Sequence, residues 1–268
     1  FDSSTKAITC DTVKNLIEGM VIDTYATSGK VANSSGVRIK YVDRVNKKVY
    51  MEDSTVTFSA NDKLYVQNSK DFEITGLGKI FSNSTTLYGL TRVDYPWLAP
   101  YTKTGAGEIS DSLIQSAIDF LDEVSGSEIN YIACSSAVRR AYQEYLGAYR
   151  RNIDIAVLDG GYKAISYNGI PLVADRFVAD DTMYLLNTND FTLHQLCDWK
   201  WLEGEDGRVI RQNMGFPTYS ATLVKYADLI CDKPNGQAKI SGISSTVTNP
   251  FATVVNNSTN TTKDETQG

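Results

Sequence analysis

Residues 160–175 read Gly160-Gly161-Tyr162-Lys163-Ala164-Ile165-Ser166-Tyr167-Asn168-Gly169-Ile170-Pro171-Leu172-Val173-Ala174-Asp175, and this stretch decides how the chain is organised. Asn168-Gly169 lies between two runs of strand formers. Both residues tolerate the positive φ of a two-residue turn, so Lys163 to Tyr167 and Ile170 to Ala174 are expected to pair as a tight hairpin. Downstream the pattern stays β-rich, with strands expected at Met183 to Leu186, Phe191 to Cys197 and Tyr219 to Cys231. Upstream, a buried strand at Asn130 to Cys134 separates two amphipathic helices. The first shows Leu113, Ile114, Ala117, Ile118 and Leu121 on one face; Ser110 or Ser112 can cap it, Ser112 in a capping box with Gln115. The second runs through Val138, Ala141, Tyr142, Tyr145 and Leu146, with Ser135 or Ser136 as its cap and Gly147 as its stop. Because helices and strands do not alternate regularly, the fold class is α+β rather than a doubly wound sheet.

Working further back, Tyr95-Pro96-Trp97-Leu98-Ala99-Pro100 is expected to be extended, since prolines disfavour helix. Ile74 to Phe81 reads as a glycine-punctuated turn and strand. Before it lie short strand runs at Met20 to Tyr25, Val37 to Val45, Lys48 to Met51 and Lys63 to Val66, which suggest a small sheet or barrel. In the second run Val37, Ile39, Tyr41 and Asp43 alternate with Arg38, Lys40, Val42 and Arg44, giving one mostly apolar and one mostly basic face. The expected organisation is an N-terminal remnant at 1–13, a β-rich, barrel-like module at 14–70, a core at 71–243 and a Thr/Asn/Ser-rich flexible tail at 244–268. The chain starts at Phe1 rather than Met, so a processed or truncated N-terminus is expected.

A length of 268 residues with 42% apolar content suffices for a sizeable core, and no run approaches the roughly 18 apolar residues of a membrane helix. The formal charge of −6, concentrated after residue 100, argues against a dedicated nucleic-acid binder. Cys10, Cys134, Cys197 and Cys231 are widely spaced and read as free, mostly buried thiols of a reducing compartment.

No catalytic constellation stands out. His194 is the sole histidine, and it lies in an alternating strand with no Gly-x-Ser-x-Gly elbow elsewhere. Gly76-Leu77-Gly78 begins like a dinucleotide fingerprint, but Phe81 occupies the third glycine position. Glu203, Glu205 and Asp206 resemble a solvated acidic turn rather than a calcium loop. The sequence therefore assigns no catalytic, cofactor or metal site. The unusual feature is aromatic: 16 Tyr and 3 Trp, concentrated at Tyr95/Trp97/Tyr101 and Trp199/Trp201, which suit either a core or an exposed platform.

Residues 160–175, together with Leu185 to Phe191, Trp199 to Gly207 and Tyr226 to Cys231, resemble the major capsid proteins of tailed phages, which have the Hong Kong 97-type capsid fold. The similarity runs from about Ile74 to Ile243. It implies an axial domain made mostly from 125–225, and a peripheral domain drawing on parts of 76–124 and 226–243. It also implies that the loop from Ala148 to Gly161 points towards a capsomer axis, making Arg150, Arg151, Asp154 and Asp159 the subunit-interface residues. Members of that family carry an N-terminal arm, an extended hairpin and a spine helix before this point. Here the β-rich module stands instead, and it is read as an inserted domain. The resemblance implies a non-enzymatic phage or prophage subunit that self-assembles into capsomers and an icosahedral head, with no membrane association. Scaffold, maturation protease and portal would be assembly partners, packaged DNA would be touched only non-specifically, and the location would be the virion, preceded by the bacterial cytoplasm. The rival from another class is a carbohydrate-binding or adhesion module using exposed Tyr and Trp, with a glycosidase behind it.

Overall fold

The computed structural model describes residues 7–53, 56–149, 155–157, 163–204 and 207–244. They divide into two units, 7–72 and 73–244. The first is all β: β1 (Ala7–Thr9), β2 (Val21–Ala26), β3 (Gly29–Lys30), β4 (Val37–Asp43), β5 (Lys48–Met51) and β6 (Lys63–Val66). The order is β1-β5-β4-β2-β3, with β6 paired to β2. Residues 7–9, set apart by the sequence reading in a remnant, are thus a strand of this sheet, antiparallel to β5. The reason is burial: Ile8 joins Ile22, Val37, Ile39, Val49 and Met51 in one apolar core.

The strict alternation expected from Val37 breaks inside β4. Ile39 pairs with Met51 and Tyr41 with Tyr50, which leaves Lys40 as a bulge. Beyond it the faces exchange: Val42 is buried, while Tyr41 is exposed and lies beside Tyr50 at 5.8 Å between ring centroids. Glu18 holds the displaced strand by accepting from the Val42 amide at 3.3 Å and from both terminal nitrogens of Arg44 at 3.0 and 3.2 Å. The Arg44 hydrogen bonds bring the Glu18 carboxyl down to about 2.

A buried carboxylate ties the other end of this unit. Asp23, on β2, accepts from Lys30 Nζ at 2.7 Å and from the Gly36 and Asn68 amides at 3.0 Å each. Burial alone would raise its pKa, but the bond from Lys30 and those from the two amides override it, so the carboxyl titrates below its usual range.

The second unit begins with α1 (Leu77–Ile80), β7 (Thr86–Leu87), β8 (Leu90–Thr91), β9 (Tyr101–Lys103) and β10 (Gly107–Glu108). It continues through α2 (Asp111–Ser125), β11 (Tyr131–Cys134), α3 (Ser136–Tyr149), β12 (Ile155–Val157), β13 (Lys163–Tyr167), β14 (Ile170–Ala174) and β15 (Met183–Leu186). It closes with β16 (Phe191–Trp201), β17 (Arg211–Gln212), β18 (Tyr219–Ser220), β19 (Leu223–Cys231), β20 (Ala238–Ile240) and β21 (Ile243–Ser244). Seven strands form a mixed sheet in the order β12-β13-β14-β11-β15-β20-β9. The mixture of helices and mixed-direction strands is α+β.

Alternate residues of the central strands serve two cores. Ile132 and Cys134 of β11, with Met183 and Leu185 of β15, pack with Ile114 and Leu121 of α2 and Val138, Tyr142 and Leu146 of α3. Ala133, Tyr184 and Leu186 join Ile80, Phe81, Leu87 and Leu98 in a second core. Burial on both sides explains the uninterrupted apolar runs of these strands. The Asn168-Gly169 turn forms as its sequence requires, with φ of 48° and 83°.

The structure corrects or narrows four local expectations. Residues 77–80 are a short helix, because Ile80 and Phe81 turn together into the second core. Pro96–Leu98 is a 3-10 turn rather than extended, with proline at the first turn, where its missing N–H costs nothing. Ser110, not Ser112, caps α2 by accepting from the Leu113 amide at 3.2 Å, and Gln115 instead accepts from the Tyr167 hydroxyl at 2.6 Å. Ser135 caps α3, whose helix passes Gly147 and runs to Tyr149.

Two outcomes test this account. Asp23→Ala strands the Lys30 ammonium and two amides, so it should cost on the order of 3 kcal/mol. Hydrogen exchange should then show lost protection in peptides spanning 21–26 and 63–68. For pH, a carboxyl held low in the fold gives stability that is complete above the unfolded aspartate pKa and lost as pH falls through the folded one, and the variant should lack this acid limb. Separately, Gly242 has φ +74° and an added Cβ would lie 2.7 Å from the Gly105 nitrogen. Gly207 has φ +71° and open space. Urea denaturation should therefore rank Gly242→Ala as the more destabilising, by about 1–3 kcal/mol.

Candidate functional site

β16 and β19 pair antiparallel with each other and, among the described residues, with no other strand, as a two-stranded ribbon. At 11 residues, β16 spans about 35 Å. Only its root is buried: Phe191 and Cys231 sit with the second core, and burial pushes the Cys231 thiol up to about 12. Tyr88 clamps the root, donating to the Leu229 carbonyl at 3.2 Å and accepting from the Cys231 amide at 2.9 Å. Asp228 holds the same strand, β19, accepting from the Thr75 amide at 2.6 Å and its hydroxyl at 3.2 Å.

A third clamp is Gln237, which is wholly buried. Its Oε1 accepts from the Asn187 amide at 2.8 Å, and its Nε2 donates to Asp190 Oδ2 at 2.8 Å. Asp190 is raised above the usual aspartate range because burial outweighs the help of Lys233 and Gln237. The residue before β16 is thereby tied to the segment between β19 and β20.

Past the root, large apolar side chains alternate with polar ones and many of them are exposed. Leu196 is 86% exposed, Trp199 64% and Trp201 53%, with Leu193, Leu223 and Tyr226 also open. Its outer end, around β17 and β18, adds Met214, Phe216 and Tyr219, all exposed. Register shifts on either side of Cys197 place extra residues in β16, and Leu196 is the one left without a partner between Gln195 and Cys197. Such bulges redirect side chains and increase twist. Lys225 pairs with Asp198 at 3.0 Å and lies 6.0 Å from the Trp199 ring, so the indole is held against the strand rather than buried. Large exposed apolar side chains gathered on one element are the kind of residue found at interaction surfaces.

The four interface residues expected from the sequence, Arg150, Arg151, Asp154 and Asp159, lie outside the described residues. Also outside are Glu205 and Asp206 of the acidic turn. His194 is exposed on the ribbon opposite Asp228, whose carboxylate is already spent on Thr75 and the Leu229 amide, so the two do not form an acid–base pair. Among the described residues no group of three or more His, Cys, Asp or Glu comes together as a metal site, and no helix is long and apolar enough to cross a membrane. The sequence located Trp199 and Trp201 but not the freestanding ribbon. Its only hint was the apolar Leu196 out of step with Leu193.

No family model and no curated protein matches the chain. Among solved structures it is similar to the holo-SrpI encapsulin complex of Synechococcus elongatus PCC 7942, at 14% identity over 56% of this chain and 55% of that one, with a TM-score of 0.38. It is also similar to a chain of the cyanophage A-1(L) capsid asymmetric unit, at 17% identity over 66% and 62% of the two chains, with a TM-score of 0.48. In both cases the chain spans less than two thirds of the neighbour's length.

The Asp190 clamp gives a pH prediction. A carboxyl raised in the fold gives stability that is complete below the unfolded pKa and is lost as pH rises through the folded one. Asp190→Asn keeps an acceptor for Gln237 and removes that loss. The variant should have the higher urea midpoint at pH 7, with the gap closing below pH ~4.

Proposed function

We propose that this chain is a shell-forming structural subunit, and more specifically a major capsid protein of a tailed phage or prophage. The observation that carries the proposal is the two-stranded ribbon of β16 and β19, tied at its root to the second core and carrying exposed Leu193, Leu196, Trp199, Trp201, Leu223 and Tyr226. A surface of that kind suits a large interface repeated by symmetry among identical copies. The resemblance of residues 160–175, 185–191, 199–207 and 226–231 to capsid proteins supplies the class of assembly. On this reading the function is mechanical and no reaction is catalysed. Scaffold, maturation protease and portal are proposed as assembly partners, and the virion as the location after assembly in the bacterial cytoplasm. An acidic chain is also suited to enclosing DNA without gripping it.

The test is negative-stain microscopy with mass photometry on this chain and on the full product of its gene. Shells or capsomer rings are expected in at least one of them. Leu196→Glu and Trp199→Glu alter open positions, so each should change folding stability by less than about 0.5 kcal/mol. Each should nevertheless abolish rings and shells. Wild-type monomers at every concentration, in both forms, would overturn the proposal.

A further inference from the structure

The first unit contains a cleft lined by no residue of the ribbon. It encloses about 640 Å³ between the segment after β1 and the segment leading into β6. That volume lies within the range of small-ligand sites, roughly 300–1,000 Å³. Its apolar floor, including Leu16, Phe58 and Leu64, rests on the core of the unit.

The walls are polar and largely unspent. Asp11 and Asn15 line one side and Asn61 the other, and none of the three makes a hydrogen bond or ion pair with the described residues. Neighbouring groups hold their loops in place. Thr12 Oγ1 accepts from the Lys14 amide at 3.4 Å, and Asp62 Oδ2 accepts from the Ser59 amide at 2.8 Å. The second bond closes the turn that presents Asn61 in the left-handed conformation, at φ 69°. Tyr65, also in the lining, has its ring set edge-on against Tyr25 at 5.4 Å between centroids.

One carboxylate accepts from two hydroxyls at once, and each carboxamide both donates and accepts. These groups therefore match neighbouring hydroxyls on a ring. Aromatic and aliphatic side chains beside them match the C–H face of the same ring. Asp11 and Asp62 outnumber Lys63 in the lining, which disfavours an anionic ligand. From this combination we infer that the cleft of the first unit binds a neutral saccharide. The inference does not rest on the shell reading, since no residue of the ribbon takes part.

The experiment is isothermal titration of the whole chain with maltose, cellobiose, lactose, chitobiose and mannobiose, and with glucuronic acid as the anionic control. At least one neutral sugar should bind. Asp11→Ala, Asn15→Ala and Asn61→Gly should each weaken it by about tenfold or more. All three positions are exposed, and glycine keeps the positive φ at 61, so circular dichroism should match the wild type. Trp199→Ala, on the ribbon, should leave binding unchanged. No heat from any neutral sugar at about 10 mM, equal binding of glucuronic acid, or binding lost with Trp199 but kept in the cleft variants would each overturn the inference.

Discussion

Strands β11 and β15 must bury side chains on both faces, and the architecture of the second unit follows from that requirement. Ile132, Cys134, Met183 and Leu185 demand cover on one side, which α2 and α3 provide. Ala133, Tyr184 and Leu186 demand it on the other. There the cover is assembled from small pieces: a one-turn helix, a two-residue hairpin and a 3-10 turn. None of these is stable alone, since a helix of four residues cannot repay its nucleation. They persist because Ile80, Leu87 and Leu98 are pinned to the sheet. Arg92 reinforces them by donating to the carbonyls of Ile80, Ser82 and Ser84.

That patchwork is also what grips the ribbon. Tyr88 follows the β7 strand and Thr75 precedes α1, so the elements that cover the sheet double as the ribbon's socket. Gln237, between β19 and β20, adds the polar link to Asp190. The ribbon thus has a root tied by several hydrogen bonds and a length that exposes Leu196, Trp199 and Trp201. It differs from a mobile loop, whose backbone hydrogen bonds are few and whose root is not clamped.

The sequence was most legible where a local rule admits few alternatives. Asn168-Gly169 gave its hairpin because two successive residues with positive φ leave little choice of turn. The periodic faces of α2 and α3 were plain for a similar reason. Errors fell where several local options differ by small energies. Ser110 and Ser112 were both open as caps; Ser110 is the one that caps, and the capping box read at Gln115 is absent because Gln115 accepts from Tyr167. Gly147 can end a helix, but Leu146 is buried in the core with its neighbours and the helix continues. The strand of Val37 to Asp43 alternates in sequence except at Val42 and Asp43, and a bulge at Lys40 is what puts Val42 inside.

Sequence by itself determined the α+β class, the strands and helices with strong period, the free cysteines and the aromatic richness around Trp199. Those properties depend on neighbours within a few residues. The tertiary structure decided that Thr75, Tyr88 and Gln237 converge on one ribbon root, that Leu196 and Trp199 stay open, and that two polar walls far apart from each other in sequence face each other across a cleft. Contacts of that kind join residues as much as 153 positions apart. They are fixed by which apolar surfaces find cover, and a strand's own sequence says only that it has such surfaces, not where the cover lies.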